Sequence, residues 1–268
     1  MLLRSGRAAL WVVLVGGLLA GGVTLRAGGP PARPSARGVV ALVNASAPRN
    51  DLFTGQFCGG TLVAPDLVLT ARHCLSGRRD GSIDAVVGAD NLCHTAPVTG
   101  QRLHVTRTLA YPDHSVDAAL LVLAGSVRVP PARLPTRTSP VPATGTAFGW
   151  GRDGYGGVAP CRRSEVALRF TDPHRCVRAQ RDLGIAPRPQ WQLCAQPAPG
   201  ATRNTCTGDS GGPVLATPAA TTITGIISWG PSCRVNDVGV YISVAPLVPW
   251  IDHVAHTQRA GDRRPAAS

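Results

Sequence analysis

Residues 206–215 read CTGDSGGPVL, a stretch that places Ser210 among glycines directly before a short apolar run. Glycine allows the backbone to turn so that consecutive N–H groups can point at one position beside the serine. The apolar run that follows is typical of a buried strand. A serine between glycines usually marks no more than a turn, so its meaning depends on which other residues the chain supplies.

Two further residues have the chemistry that a serine nucleophile requires. A serine hydroxyl is a poor nucleophile at neutral pH and needs an adjacent base. Histidine is such a base, with a pKa near about 6.5, and a buried carboxylate can fix its tautomer and stabilise the imidazolium. His73 lies in LTARHC at residues 69–74, and Asp117 lies in SVDAALLVL at residues 115–123. Each residue alone has an ordinary structural explanation, but the combination predicts nucleophilic catalysis.

The blocks LTARHC, DAALLVL and GDSGGP, in the order His, Asp, Ser, resemble those of the chymotrypsin-like serine proteases of the secreted bacterial type. The resemblance extends from about residue 38 to residue 255. It implies an all-β fold of two antiparallel six-stranded Greek-key β-barrels with a short C-terminal helix. Four shorter stretches support it, namely FCGGTLV at 57–63, GWG at 149–151, SWG at 228–230 and GVYISV at 239–244.

The resemblance also implies a role for each site residue. Ser210 would be the nucleophile, His73 the general base and then acid, and Asp117 the orienting carboxylate. The backbone N–H groups of Gly208 and Ser210 would form the oxyanion hole. The substrate-binding residues implied are Asn204, Thr205, Ser228, Trp229, Gly230 and Gly239.

The primary specificity pocket has no acidic residue at the position of its floor. Asn204, six residues before the nucleophile, would lie at its floor. An acidic floor would pair with Arg or Lys of a substrate, and an amide has no such charge. Gly230 and Gly239 leave the walls open, so we expect an uncharged or aromatic side chain at the P1 position. Asp237, near the rim, is the one feature that would favour a basic side chain instead.

The activation end also departs from the family pattern. The family typically frees an Ile-Val-Gly-Gly-like terminus, whose ammonium pairs with the aspartate before the nucleophile, here Asp209. The candidate terminus in LRAGG at residues 25–29 begins at Ala27 and lacks the apolar anchor. Burial of an unpaired carboxylate is costly. Either a different terminus therefore fills the site, or another group neutralises Asp209.

The eight cysteines are interpreted as disulfides because the chain carries an export signal. None forms a C-x-x-C pair and no His/Cys cluster has zinc spacing, so we expect no metal and no other cofactor. The resemblance implies the pairs Cys58–Cys74, Cys176–Cys194 and Cys206–Cys233. We predict that the remaining two, Cys93 and Cys161, bridge each other.

The beginning of the chain predicts secretion. Arg4 and Arg7 precede an uncharged run over residues 8–25, which is typical of a signal peptide and places the folded part outside the cell. The run also approaches the length of a bilayer-spanning helix, so an uncleaved anchor stays open as the one case of membrane contact. The predicted organisation is a signal peptide at 1–27, a propeptide or lead-in segment at 28–37, a peptidase domain at 38–255 with barrels at about 38–130 and 143–245, and a disordered tail at 256–268.

Composition supports a β-rich protein with no nucleic-acid partner. The 31 glycines and 24 prolines favour short strands joined by turns, and the one clear helical pattern covers residues 245–258. The net charge is +12, yet the arginines are spread along the chain without a patch interleaved with aromatics. We expect a monomer whose partners are a polypeptide substrate and a protein protease inhibitor.

The sequence thus predicts a secreted serine endopeptidase that hydrolyses peptide bonds through a Ser-His-Asp triad and an acyl-enzyme. The alternative is an inactive protease homologue that serves as an extracellular binding module, and the unusual activation end is the feature in its favour. An α/β-hydrolase would have its serine first, in a G-x-S-x-G elbow. The observed order, with His first, counts against that class.

Overall fold

The computed structural model describes residues 38–93, 100–154, 156–216 and 221–262, with side chains up to residue 258. The predicted signal peptide at 1–27 and the lead-in segment at 28–37 lie outside these residues. Residues 38–262 belong to one compact unit. Both halves of that unit are β-barrels, which confirms the predicted fold class.

The first barrel is closed and antiparallel, with strand order β1-β2-β3-β6-β5-β4. All six of its strands coincide with segments of the sequence that carry apolar residues at short spacing. The apolar side chains point into the barrel interior, where Leu42, Leu62 and Leu69 are fully buried. The strands are β1 Val39–Asn44, β2 Gln56–Ala64, β3 Leu67–Thr70, β4 Ile83–Val87, β5 Gln101–Ala110 and β6 Ala119–Leu123.

The second barrel has the order β10-β11-β12-β9-β8-β7 and is also closed. In β8, Val166 and Leu168 are buried while Glu165 and Arg169 are exposed, the alternation expected of a half-buried strand. Its strands are β7 Thr144–Gly149, β8 Ser164–Phe170, β9 Gln192–Pro197, β10 Pro213–Leu215, β11 Ile223–Trp229 and β12 Gly239–Ser243. Only β9, with the weakly apolar sequence QLCAQP, escapes detection in the sequence.

Two α-helices accompany the barrels in the part of the chain that the structure describes. The sequence does not predict α1, Pro173–Asp182, which begins where the side chain of Asp172 accepts the N–H of His174 and Pro173 takes the first helical position. The C-terminal α2, Val248–Asp262, was predicted within 245–258. It continues into the range predicted as a disordered tail, because no proline interrupts the helical hydrogen bonds there. Among the described residues, no helix is long and apolar enough to cross a membrane.

Four disulfides connect the loops around the barrels. The pairs are Cys58–Cys74, Cys93–Cys161, Cys176–Cys194 and Cys206–Cys233, the same four that the sequence analysis names. The Cys93–Cys161 pair links the loop after β4 to the loop before β8, and therefore ties the first barrel to the second. The backbone N–H of Leu92 donates to the carbonyl of Cys161 beside it, at 3.0 Å.

Candidate active site

Strand pairing brings His73 and Asp117 together. Thr70 at the end of β3 pairs with Ala119 at the start of β6. Because the two strands are antiparallel, the residues that follow β3 and those that precede β6 lie at the same barrel edge. His73 lies in the short 3-10 turn Arg72–Leu75 directly after β3, and Asp117 lies just before β6.

Both carboxylate oxygens of Asp117 hold the histidine. Oδ1 accepts the backbone N–H of His73 at 2.8 Å, and Oδ2 lies 2.8 Å from Nδ1 of the ring. Asp117 therefore binds both the backbone and the side chain of His73, and Nδ1 carries a proton. In the neutral imidazole, Nε2 then has the free lone pair that a general base needs. The hydroxyl of Ser228, near the end of β11, donates to Oδ2 of Asp117 at 2.6 Å.

The electrostatics of the pair favour a charged carboxylate and a basic histidine. The hydrogen bond to Asp117 raises the pKa of His73 above its ordinary value, against the opposing effect of burial. Burial by itself raises the pKa of Asp117, but the hydrogen bonds from His73 and Ser228 and the attraction of His73 outweigh it, so that pKa is lowered. Each partner thus stabilises the charged form of the other.

Ser210 shares a cleft of about 350 Å³ with His73. The carbonyl of Ser210 accepts the N–H of Gly59 in β2 at 2.7 Å, which ties the serine loop to the first barrel. Gly211 has a φ of +79°, and a Cβ there would come within 2.2 Å of Oγ1 of Thr70. The glycine after the serine is therefore required by the close approach of β3, and this approach brings the serine loop to the histidine side.

Among the described residues, the backbone N–H groups of Gly208 and Ser210 have no protein acceptor. The carbonyl of Thr207 accepts the N–H of Arg152 at 3.0 Å. A trans peptide directs its C=O and N–H to opposite sides, so the N–H of Gly208 points away from Arg152. Within the described part of the chain, neither that N–H nor the N–H of Ser210 donates to another protein atom. Both remain available for an oxyanion.

Asn204 uses its whole amide inside the protein. It is 2% exposed. Its Nδ2 donates to the carbonyls of Arg234 and Asp237 at 2.9 and 3.1 Å, and its Oδ1 accepts the N–H of Thr205 at 2.8 Å. The residue thus braces the loop before Gly239 rather than offering a free polar group to the cleft.

The cleft itself is lined by uncharged groups and by His73. Thr205, Trp229, Gly230 and Ser232 are among its lining residues, and the hydroxyl of Thr205 bonds the buried phenol of Tyr241 at 3.1 Å. The carboxylate of Asp237, the predicted rim residue, is engaged by the hydroxyl of Ser232. Gly239 packs on the Tyr241 ring, where an added Cβ would come within 2.8 Å of the phenol oxygen.

A second cleft of about 430 Å³ continues from His73 past Trp229. Its far wall comes from Gln180 of α1 and from Ile185 and Arg188 just after it. These residues could not be predicted from the sequence, because the sequence carries only a weak signal for α1. The Cys176–Cys194 disulfide joins α1 to β9. This pair of cysteines is the one sequence signal that could have placed the segment beside the second barrel.

Asp209 lies between the two candidate oxyanion residues and is almost fully buried. Its Oδ1 accepts the N–H of Gly151 at 2.7 Å, and its Oδ2 accepts the N–H of Cys206 at 3.0 Å. The guanidinium of Arg203 donates to the same Oδ2 at 2.9 Å. Burial raises the pKa of Asp209 above its ordinary value, and the Arg203 charge and the two N–H groups offset only part of that rise. No motif in the sequence marks Arg203 as the partner of Asp209.

Arg72 bonds outside the catalytic groups. Its guanidinium donates to the carbonyl of His114, in the loop that leads to Asp117. Arg72 therefore joins the histidine turn to the aspartate loop.

One cluster of potential metal ligands occurs among the residues that the structure describes, and it consists of His73, Cys58 and Cys74. The two sulfurs are bonded to each other. Because the thiolate is the form of cysteine that binds a metal, this cluster lacks the donors of a zinc site.

Comparison with known proteins agrees with this geometry. The family model described as Trypsin matches residues 27–251. Human kallikrein-7 is 31% identical over 214 residues, which cover 75% of this chain and 79% of the kallikrein. The chain therefore belongs to the trypsin family of serine endopeptidases.

Two further matches extend the comparison. Bovine coagulation factor XII is 36% identical over 247 residues, 81% of this chain but 39% of that protein. The structure of the Vibrio cholerae VesB protease superposes with a TM-score of 0.65 at 27% identity, covering 80% of this chain and 63% of that chain. The chain thus spans less than two thirds of the length of either protein.

Proposed function

We propose that the chain is an active, secreted serine endopeptidase in which Ser210, His73 and Asp117 form the catalytic triad. The observation that carries the proposal is the double hydrogen bond from His73 to Asp117 at the edge of the cleft that also holds Ser210. Few structural roles would require a half-exposed histidine to be oriented through both its backbone and its ring.

In this proposal each group has one task. Nε2 of His73 takes the proton of the Ser210 hydroxyl as its oxygen attacks the peptide carbonyl carbon. The carbonyl oxygen becomes an oxyanion, which the N–H groups of Gly208 and Ser210 stabilise. The imidazolium, held by Asp117, then gives its proton to the leaving amine, and an acyl-enzyme remains. Water hydrolyses the acyl-enzyme with His73 again as base.

The uncharged cleft supports a preference for an uncharged or aromatic P1 side chain. Asn204 carries no charge, and its amide is occupied by backbone groups. The carboxylate of Asp237 is occupied by Ser232. A substrate arginine would therefore enter a cleft that offers no free carboxylate, and it would lose its hydration without forming an ion pair.

Substrate backbone would bind along the end of β11. The register of β11 and β12 shifts between Ile227 and Trp229, so the segment from Ser228 to Gly230 departs from regular pairing beside the cleft. An extended peptide can add to such an edge through main-chain hydrogen bonds. A protein inhibitor would use the same edge.

The four disulfides fit an extracellular setting, because such bonds persist in oxidising compartments. The feature that favours an inactive homologue is the unusual activation end. The ion pair between Asp209 and Arg203 supports an active enzyme instead, because it gives that carboxylate a partner other than a freed terminus.

A fluorophosphonate probe, which reacts only with an activated serine, tests the proposal. We expect stoichiometric labelling of the wild-type protein at Ser210, and none in Ser210→Ala. The Ser82→Ala variant, at a half-buried serine outside the cleft, is the matched control and should label normally. An unlabelled wild-type protein would leave the inactive homologue as the better explanation.

A peptide library with all residues at P1 tests the specificity. The largest kcat/KM values should belong to uncharged and aromatic residues. A dominant preference for Arg or Lys would refute the neutral pocket and would point to Asp237.

A further inference from the structure

Arg203 is buried against the carboxylate of Asp209 by a dense set of contacts. Besides the 2.9 Å bond to Asp209, its Nη2 lies 3.3 and 3.2 Å from the carbonyls of Gly151 and Arg152. Its Nη1 donates to the hydroxyl of Ser164. The side chains of Arg203 and Asp209 are 13% and 3% exposed. The pair is therefore shielded from solvent, and salt weakens such a buried interaction much less than an exposed one.

The space around the carboxylate is closed on its other sides. A Cβ added at Gly149 would come within 2.3 Å of Oδ1, and one added at Gly151 would come within 2.4 Å of Cγ. The backbone N–H groups of Gly151 and Cys206 occupy the remaining directions. Within the described residues, the Asp209 carboxylate thus has a full set of donors and one full positive charge.

The position of Asp209 determines the position of the oxyanion groups. Asp209 is the residue between Gly208 and Ser210, so a carboxylate fixed inside the second barrel also fixes the peptides on both sides of it. The bond from Arg152 to the Thr207 carbonyl and the bond from Gln56 Nε2 to the Gly208 carbonyl, at 2.9 Å, hold those two carbonyls away from the free N–H groups. The arrangement described here is the one with both N–H groups available.

We infer that Arg203 is the internal counter-ion that positions Asp209, and that this chain forms its oxyanion hole without a newly freed N-terminal ammonium. The inference rests on the proposed function, since it concerns how the same site becomes competent. Arg203 acts through Asp209 and does not touch the substrate, so it is a positioning residue. The enzyme then requires no proteolytic cleavage to supply a positive charge for the Asp209 carboxylate.

The two kinds of counter-ion differ in their response to alkaline pH. An α-ammonium group loses its proton at about pH 8, whereas a guanidinium stays charged beyond about pH 12. The other titratable group that faces Asp209 is the phenol of Tyr241, whose pKa burial raises well above its ordinary value. An Arg203 counter-ion therefore predicts no alkaline loss of activity through this site.

Selective acetylation of the amino terminus is the first test. The amino-acid composition makes this modification specific. All 27 basic residues are arginine, so the α-amino group is the only amine of the chain. The secreted protein is acetylated under native conditions, treated with hydroxylamine to free any modified Tyr or Ser, and checked by mass spectrometry. We expect full modification and a rate of fluorophosphonate labelling within about twofold of the untreated protein.

Two outcomes of acetylation would overturn the inference. One is loss of labelling after modification, and the other is a terminus that resists acetylation until the protein is unfolded, since both indicate a buried, functional ammonium. A wild-type protein that never labels is a different result, because it refutes the proposed function itself. The two failures are thus distinguishable.

Substitution of Arg203 is the second test. Arg203→Met keeps much of the volume without the charge and should lower kcat/KM by on the order of 100-fold, comparable to the loss of an oxyanion donor. Arg203→Lys should keep activity at neutral pH but acquire an alkaline decline near about pH 10, where lysine deprotonates. The exposed Arg175→Met on α1 is the matched control, with activity and pH profile unchanged.

The alkaline decline in Arg203→Lys is the result that a merely structural arginine would not produce. If Arg203→Met is as active as wild type, or more active, the pair is either dispensable or a latch that holds the enzyme inactive. Either result would overturn the inference. If Arg203→Met does not fold, the pH profile of Arg203→Lys and the acetylation experiment still decide it.

Discussion

The hydroxyl of Ser228 donates to Oδ2 of Asp117 at 2.6 Å, on the same oxygen that lies 2.8 Å from Nδ1 of His73. Ser228 comes from β11 of the second barrel, whereas His73 and Asp117 belong to the first. The hydrogen bond therefore joins the barrels at the back of the proposed triad. It also lowers the pKa of Asp117 and so keeps the carboxylate charged.

We expect Ser228→Ala to lower kcat/KM by roughly 10-fold, since a hydrogen bond to a charged group contributes about 1.5–3 kcal/mol. The loss should appear mainly in kcat, because the bond orients the histidine and does not bind the substrate. Steady-state kinetics with a peptide substrate measure it. A change confined to KM would indicate that Ser228 contacts the substrate instead.

The pH dependence follows from the raised pKa of His73. The base works only when neutral, and a raised pKa keeps it protonated to a higher pH. Activity should therefore fall as the pH drops through a value above about 6.5, the ordinary histidine pKa. The profile of kcat/KM between pH 5 and pH 9 reports it. A half-maximal point below about pH 6 would contradict the proposed pairing.

Asn204→Asp should shift specificity toward basic residues at a cost in stability. A carboxylate cannot donate to the carbonyls of Arg234 and Asp237, as Nδ2 does at present. We expect a loss of about 1–3 kcal/mol in the free energy of unfolding, together with at least about a 10-fold gain in the ratio of kcat/KM for Arg over Phe at P1. Chemical denaturation and paired substrates measure the two effects.

The control for this prediction is Asn204→Ser, which also removes the amide donors but adds no charge. It should lose stability without any gain toward Arg substrates. Equal specificity in both variants would show that residue 204 does not face the P1 side chain.

Arg72→Ala should affect stability more than chemistry. Its bond to the carbonyl of His114 joins two loops and touches none of the reacting groups, so we expect a loss of about 0.5–1.5 kcal/mol in the free energy of unfolding and a kcat within about threefold of wild type. The exposed Arg79→Ala variant is the matched control. A large fall in kcat at unchanged Tm would mean that Arg72 holds Asp117 in place for catalysis.

Eleven of the twelve strands in the described residues could be predicted, because each forms an apolar run or an apolar–polar alternation between turn residues. The exception is β9, Gln192–Pro197, whose own sequence is only weakly apolar. It is a buried strand because it pairs with β8 on one side and β12 on the other. Helix α1 escaped prediction for a related reason. It exposes most of its side chains and buries few residues, among them Cys176 and Gln180, so its apolar signal is weak.

The proposed triad could be predicted because its chemistry is local to short motifs. The glycines around Ser210 are required where the backbone turns, as the contact between Gly211 and Thr70 shows. The disulfide partner of Cys93 could be named because the family resemblance implies the other three pairs and brings the loops of Cys93 and Cys161 to the same side. The fourth pair, which crosses between the barrels, has no local sequence signal of its own.

The sequence by itself determined the family, the two-barrel fold class and the identity of the proposed nucleophile, base and carboxylate. These depend on residue type and on backbone conformation over a few residues. The tertiary structure alone decided which partners the polar side chains have: Arg203 for Asp209, two carbonyls for the amide of Asn204, and the His114 carbonyl for Arg72. A buried polar group bonds whatever donor or acceptor the surrounding loops bring to it, and that depends on how both barrels close.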